Sequence, residues 1–427
     1  CASVEPVRNL SSLSTVSSET SLVYGIIELG ELGNGFSKNW GEIVRENVSV
    51  LIPLLVDRPL DETGSIWLVN REREIGYLSN VALHFPFGVF GVAGETGIGK
   101  TTVLNFVKPK GVYAEMVNIS LRDTMESILY DLLYSLASKL ENDDDVSDVA
   151  RECKEWITKE VSTLKGFSLA ITLLGTAEAK FEKAKAPRFN FFGARERLGM
   201  LLEKTIKAKG KFLLIIDELD KERKEDVLKV IDALKNQMLL DNLVVIFSLP
   251  FAIYREYLTD RMRWNEAGNL ENVFKDIVFL EPLKALDIKE MVAKRLKEHL
   301  DLLEPEVLDV VADFTDGNPK DGLWILSKSI YDNIGESKLK KEHVVRTINR
   351  FVKEYVSIAG LTENQRRAIS LLKDYFGPRD GILEILQKSG FKRTTAYSVL
   401  DQLIEKRFLI IREGNYRISG KFKFVDF

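Results

Sequence analysis

A chain of 427 residues is too long for one core of ordinary size and predicts two or three domains. Hydrophobic residues at 45% and charged residues at 29% exclude a disordered chain, two cysteines exclude a disulfide framework, and a net charge of −4 excludes a surface coated with positive charge. No apolar run reaches the roughly 18 residues that cross a bilayer, so a cytoplasmic protein with no membrane partner is expected.

The chain opens at Cys1 rather than methionine, which implies that something upstream was removed or left out. Residues 1–66 form an N-terminal extension with no assigned role, Ser-rich over Ser11–Ser21. From Trp67 the pattern tightens. Phe87–Ala93 has the composition of a buried strand and runs through a glycine-rich turn into a helical stretch, Thr101–Val107. A second strand, Val112–Asn118, leads into an amphipathic stretch, Leu121–Leu140. The acidic run Glu141–Asp145 opens what reads as an insertion near 141–190. Its apolar segment Phe167–Gly175, followed by Lys180, Lys183, Lys185 and Arg188, reads either as an exposed hairpin for DNA or a protein partner, or as a buried stretch.

Helical spacing resumes over Ala194–Lys207, the uninterrupted strand Phe212–Ile216 ends in acids, and helix Glu225–Met238 precedes a strand over Leu243–Leu249. Strands and helices alternating at these lengths predict a parallel sheet covered on both faces. After Pro282 helical periodicity runs to about Val356. The last unit reads as helices Glu363–Tyr375, Gly381–Lys388 and Thr394–Lys406, then strands Phe408–Arg412 and Tyr416–Ser419 joined at Glu413-Gly414-Asn415. Residues 361–427 hold 13 Lys and Arg against 8 Asp and Glu, a basic end on an otherwise acidic chain and a candidate nucleic-acid contact.

The chemistry concentrates at two places. Gly94-Glu95-Thr96-Gly97-Ile98-Gly99-Lys100-Thr101 satisfies the P-loop pattern between a strand and a helix, with Thr102 following. Glycines let the backbone curl so that its N–H groups face phosphates, Lys100 adds a charge at the β and γ phosphates, and the Thr101 hydroxyl can ligate Mg2+. Asp217-Glu218 ends a buried strand, where adjacent acids need a cation or a proton. Asp217 suits the metal, and Glu218 suits the orientation and deprotonation of an attacking water. ATP or ADP with Mg2+ is the expected cofactor set.

Asp217-Glu218-Leu219-Asp220 resembles the Walker B box of AAA+ ATPases, specifically of the origin-recognition (Orc-like) initiator clade. Asn70-Arg71-Glu72-Arg73-Glu74 resembles the clade's adenine-pocket segment, Phe279–Leu283 the approach to its helical lid, and Gly317-Asn318-Pro319-Lys320 its sensor 2 turn. The resemblance covers Trp67 to the C-terminus apart from the insertion near 141–190. It implies an α/β fold with a P-loop AAA+ parallel-sheet domain (67–282), an all-helical lid (283–358) and a C-terminal winged helix (359–427). It also implies nucleotide contacts at Asn70, Arg71, Ser248 as sensor 1, Pro319 and Lys320. Lysine replaces the family's usual sensor 2 arginine, which keeps the charge and loses the bidentate geometry, so hydrolysis is expected to be slow. Arg261 and Arg263 stand where the family supplies an arginine finger to a neighbouring subunit, which implies self-association.

The tail resembles a winged helix whose recognition helix presents Lys392, Arg393, Thr394, Thr395, Tyr397 and Ser398 to duplex DNA, with Arg412 and Asn415 in the wing. The implied function is an ATP switch in replication initiation or a related DNA transaction. The alternative is a STAND-type signalling ATPase, whose winged helix senses nucleotide or binds protein. None of His84, His299 and His343 lies in the winged helix, where many STAND proteins place a phosphate-sensing histidine.

Overall fold

The computed structural model describes residues 48–119, 124–163, 190–262, 269–412 and 414–425. Arg263, the segment Phe167–Gly175 and Glu413 lie outside the described residues, as does most of the N-terminal extension.

Five parallel strands form the first sheet: β1 (Gly88–Gly94), β2 (Tyr113–Asn118), β3 (Phe212–Asp217), β4 (Leu243–Pro250) and β5 (Phe274–Phe279). Their order is β2-β3-β4-β1-β5, so β4 separates the strand that feeds the glycine-rich loop from the strand that ends in acids. Both faces are covered, and this is why β3 and β4 read as unbroken apolar runs. Phe212, Leu214 and Ile216 of β3 point into one core, while Leu213 and Ile215 point into the other. The larger core is closed by α3 (Met125–Leu140), α4 (Ser147–Thr163), α5 (Phe191–Lys209) and α6 (Lys224–Leu234); the smaller by α1 (Glu72–His84) and α2 (Lys100–Asn105). The fifth strand and the helix α7 (Phe251–Met262), which starts without a loop after Pro250, go beyond the sequence reading, as does the short α8 (Asn269–Val273).

Part of the expected insertion belongs to the body of the sheet domain. Helix α4 places Ala150, Cys153 and Ile157 in the larger core, with Val146 just ahead of it. Burial pushes the Cys153 thiol up to about 11, so it behaves as a small apolar residue and not as a thiolate.

Four helices follow the sheet: α9 (Ala285–Leu296), α10 (Pro305–Thr315), α11 (Pro319–Asp332) and α12 (Lys341–Ala359). The chain ends in α13 (Glu363–Leu372), β6 (Phe376–Gly377), α14 (Arg379–Lys388), α15 (Arg393–Glu405), β7 (Leu409–Arg412) and β8 (Asn415–Ile418), the strands forming an antiparallel sheet in the order β6-β8-β7. These two helical regions share one apolar core, in which Ile288, Val311 and Ile348 are continuous with Leu372, Leu400 and Phe408. A helix over 48–54 adds Leu51 and Leu55 to the same core, so residues 48–66 are an integral part of the fold.

The seam between the two regions is polar and close-fitting. Asp316 follows α10 in a left-handed conformation (φ 51°) and its carboxylate accepts from the Ser419 hydroxyl at 2.6 Å, the Gly420 N–H at 2.9 Å and the Arg417 guanidinium at 2.9 Å. Gly420 has to be glycine, because a Cβ there would lie 1.6 Å from the Asp313 carbonyl oxygen.

Candidate nucleotide-binding site

The loop between β1 and α2 curls because Gly97 and Gly99 take positive φ angles of 84° and 102°, a region that L side chains rarely adopt. Lys100 is buried, and its Nζ donates to the carbonyl oxygens of Gly94 at 2.9 Å and Glu95 at 2.8 Å. It also lies 3.0 Å from Asp220 Oδ2. Asp220 had no role of its own in the sequence reading, although it closes the four-residue acidic box. Its other oxygen faces the Ser248 hydroxyl at 3.5 Å, and Ser248 is fully buried near the end of β4. A chain of contacts therefore runs from Lys100 through Asp220 to Ser248.

Asp217 ends β3 at 1% exposure, and its Oδ1 has no hydrogen-bond partner. An orphaned, buried carboxylate oxygen carries a desolvation cost that a cation removes. Among the described residues, no group of three or more His, Cys, Asp or Glu side chains sits together as a metal cage. The carboxylate of Asp217 and the hydroxyl of Thr101 are nonetheless the kinds of oxygen donor that Mg2+ takes, an ion that keeps several waters and draws other ligands from phosphate. Glu218 adopts φ 66° and is partly exposed, with Oε1 bonded to Lys221 Nζ at 2.8 Å. Glu218 and Asp217 therefore point to different environments, as a base and a metal ligand require.

The start of α11 packs over the loop. Asn318 caps that helix through Lys320 N, and its side-chain N–H donates to Thr96 O at 2.9 Å. A Cβ on Gly97 would lie 2.8 Å from Lys320 Cβ, so Lys320 sits directly over the loop, with Pro319 as the first residue of α11. Lys320 Nζ pairs with Asp57 at 3.1 Å. Asp57 belongs to a strap over 55–61. Leu60 donates its N–H to Thr102 Oγ1 at 3.1 Å and accepts from Asn105 at 2.9 Å, while Arg295 of α9 donates to the carbonyls of Leu54 and Val56. Thr102, expected beside the nucleotide, thus holds the strap.

Asn70 and Arg71 tie three segments together. Asn70 donates to Asp287 at 2.8 Å, and the buried Arg71 guanidinium donates to Ile98 O at 3.3 Å and Glu281 O at 2.9 Å. Burial lowers the Arg71 pKa, partly offset by Glu74. Arg261 is exposed at the end of α7, its guanidinium 5.7 Å from the Tyr257 ring centre.

The expected DNA contacts divide. Lys392, Arg393, Thr394 and Ser398 are exposed at the start of α15, whereas Thr395 and Tyr397 are half-buried. The guanidinium groups of Arg379 and Arg393 lie 5.4 Å and 6.0 Å from the Tyr397 ring centre. Arg412 corrects the expectation. It donates to Asp316 O at 3.1 Å and faces Glu95 Oε1 at 3.9 Å, because the β7–β8 hairpin is docked onto the turn after α10 and overhangs the glycine-rich loop. Asn415 opens β8 opposite it.

No protein-family profile matches the sequence, and no curated protein matches it. Among solved structures, a Walker-type ATPase of Pyrococcus abyssi is 14% identical over 87% of this chain and 98% of its own, with a TM-score of 0.49. A variant of RuvB from Thermotoga maritima is 13% identical over 87% of this chain and 97% of its own, with a TM-score of 0.37. A STAND protein with a tetratricopeptide repeat sensor from Pyrococcus horikoshii is 18% identical over 83% of this chain and 42% of its own, with a TM-score of 0.33. These are distant likenesses, and the assignment rests on strand order and loop geometry. A glycine-rich P-loop motif after β1, a paired-acid turn after β3 and β4 between them define a parallel α/β fold built around that loop.

Proposed function

We propose that this chain is an ATP-binding, slowly hydrolysing AAA+ switch, with nucleotide and Mg2+ held between the sheet domain and the helical lid. The observation that carries this reading is the buried, unpartnered Asp217 Oδ1 at the end of β3, in the same turn whose Asp220 reaches the loop lysine. Bound Mg2+ would neutralise phosphate charge. Lys100 holds the β and γ phosphates, Thr101 and Asp217 hold the metal, and Glu218 orients and deprotonates water. The Lys221 partner of Glu218 and a lysine at sensor 2 both support slow turnover. Lys100→Ala should abolish ATP binding, and Glu218→Gln should preserve binding while blocking hydrolysis. Tight ATP binding by the first variant would refute the assignment.

The C-terminal unit is read as a winged helix that presents the exposed start of α15 to duplex DNA, in an Orc-like role. The exposed Lys392 and Arg393 beside Thr394 and Ser398 support this. The turn of Arg412 toward the loop supports the nucleotide-sensing half of the STAND-type alternative. Self-association through the sheet domain, with Arg261 reaching a neighbour, completes the proposal. Labelled duplex DNA titrated with ATP, with ADP and without nucleotide tests it. Salt-sensitive binding that falls in Arg393→Ala supports DNA recognition, and no binding in any state leaves a protein partner as the target.

A further inference from the structure

We infer that Arg412 is a phosphate-sensing residue that the C-terminal unit delivers, within one chain, to the terminal phosphate of ATP, and that Glu95 holds its place when no triphosphate is bound. The inference rests on the P-loop reading of Gly94–Thr101.

Arg412 closes β7 opposite Asn415, and one end of its guanidinium is fixed by the bond to Asp316 O. Asp316 is itself anchored by Ser419, Gly420 and Arg417, so the donor is presented from a rigid turn. A guanidinium carries five N–H donors in a planar fork, and one bond to a carbonyl leaves the others for an anion. The nitrogen that bonds Asp316 O, Nη2, is also the one that faces Glu95 Oε1, at 3.9 Å. Lys100 Nζ lies 2.8 Å from Glu95 O, and a P-loop lysine reaches the β and γ phosphates, so Glu95 marks the terminal-phosphate side of the loop.

The existing Arg412–Glu95 pair is weak. It spans 3.9 Å, and the side chains are 28% and 43% exposed, so solvent screens it. A terminal phosphate carries more charge than a carboxylate and displaces Glu95 from a partner already in place. Two other cations at the loop are paired in the same way: Lys320 with Asp57 of the strap and Lys100 with Asp220. Arg412 differs because its partner exchange acts on the C-terminal unit. ATP then ties β7 to the loop, and ADP leaves Arg412 with Glu95.

The test is titration of the full chain with ATP and with ADP for the wild type, Arg412→Gln, Arg412→Lys, Glu95→Gln and Lys100→Ala, with amide exchange of residues 409–418 in each nucleotide state. Arg412→Gln should weaken ATP by about tenfold or more and leave ADP within about twofold, as expected for one charge-assisted bond. Arg412→Lys should recover part of the loss, and Glu95→Gln should tighten ATP. Exchange over 409–418 should be slower with ATP than with ADP in the wild type and equal in Arg412→Gln. A loss that falls equally on ATP and ADP, or no loss, would overturn the inference, since a purely structural role leaves the ratio unchanged. If the wild type binds both nucleotides and Lys100→Ala binds neither, the P-loop reading stands whatever Arg412 does. If the wild type binds neither, both fall.

Discussion

Lys100 Nζ and Asp220 Oδ2 lie 3.0 Å apart, with the two side chains 3% and 10% exposed. A buried ammonium needs a counter-charge, and here the protein supplies one at the place where phosphate would supply another. Asp220→Asn should therefore destabilise the nucleotide-free protein by about 1–3 kcal/mol, the cost of a weakened buried charge interaction. ATP restores the counter-charge, so the variant should bind ATP up to about tenfold more tightly than the wild type. Thermal unfolding with and without ATP measures both effects, and an unchanged ATP affinity would show that phosphate does not replace Asp220.

Gly97 supports a second expectation. Its φ of 84° and the 2.8 Å approach to Lys320 Cβ leave no room for a methyl group. Gly97→Ala should cost about 1–3 kcal/mol of local strain and push α11 off the loop, breaking the Asn318 bond to Thr96. Weaker nucleotide binding with an intact fold by circular dichroism is the expected result. Unaltered binding would mean that the lid does not close on the nucleotide through this contact.

The seam at Gly420 can be opened selectively. A Cβ 1.6 Å from the Asp313 carbonyl forces the C-terminal unit away and breaks the Gly420 N–H bond to Asp316. Gly420→Ala should lower stability by about 2–4 kcal/mol, in the range of severe overpacking combined with a lost buried bond. Limited proteolysis should show new cleavage after Ala359, while the sheet domain remains protected.

Asp316 gives the seam a pH dependence with a defined sign. Burial raises its carboxyl pKa above 3.8, against the opposing hydrogen bonds from Ser419 and Gly420 and the nearby Arg417 and Arg412. A carboxyl with a raised folded-state pKa binds its proton more tightly when folded, so stability falls as pH rises from the unfolded value to the folded one. Asp316→Asn removes this titration. The thermal midpoint of the variant relative to the wild type should rise as pH increases above about 4, and a constant difference would contradict the assignment.

The elements legible in the sequence were those with local causes. β3 and β4 show as continuous apolar runs because both faces are covered, and the P-loop shows because its glycines must lie at fixed spacing. β5 was missed because an edge strand tolerates Lys275 and Asp276 in its interior, which breaks the apolar pattern. α7 was missed because it begins at the end of β4 with no turn signal. At the site, Lys100 and Asp217 could be picked out from their own neighbourhoods. The Asp220–Lys100, Asp57–Lys320 and Glu95–Arg412 pairs could not, since each joins segments that only the fold brings together. The docking of Arg412 on the turn after α10 is equally hidden, because a basic residue in a hairpin carries no mark of the face on which the hairpin docks.

The apolar core shared by α9–α12 and the C-terminal unit has a mechanical meaning. Because Val311 and Ile348 pack in one continuous cluster with Leu400 and Phe408, these helices and the small sheet form one packed body that rests on the loop through Asn318 and Lys320. The exposed start of α15 belongs to the same packed body, so any tilt of α11 on the loop would carry Lys392 and Arg393 with it.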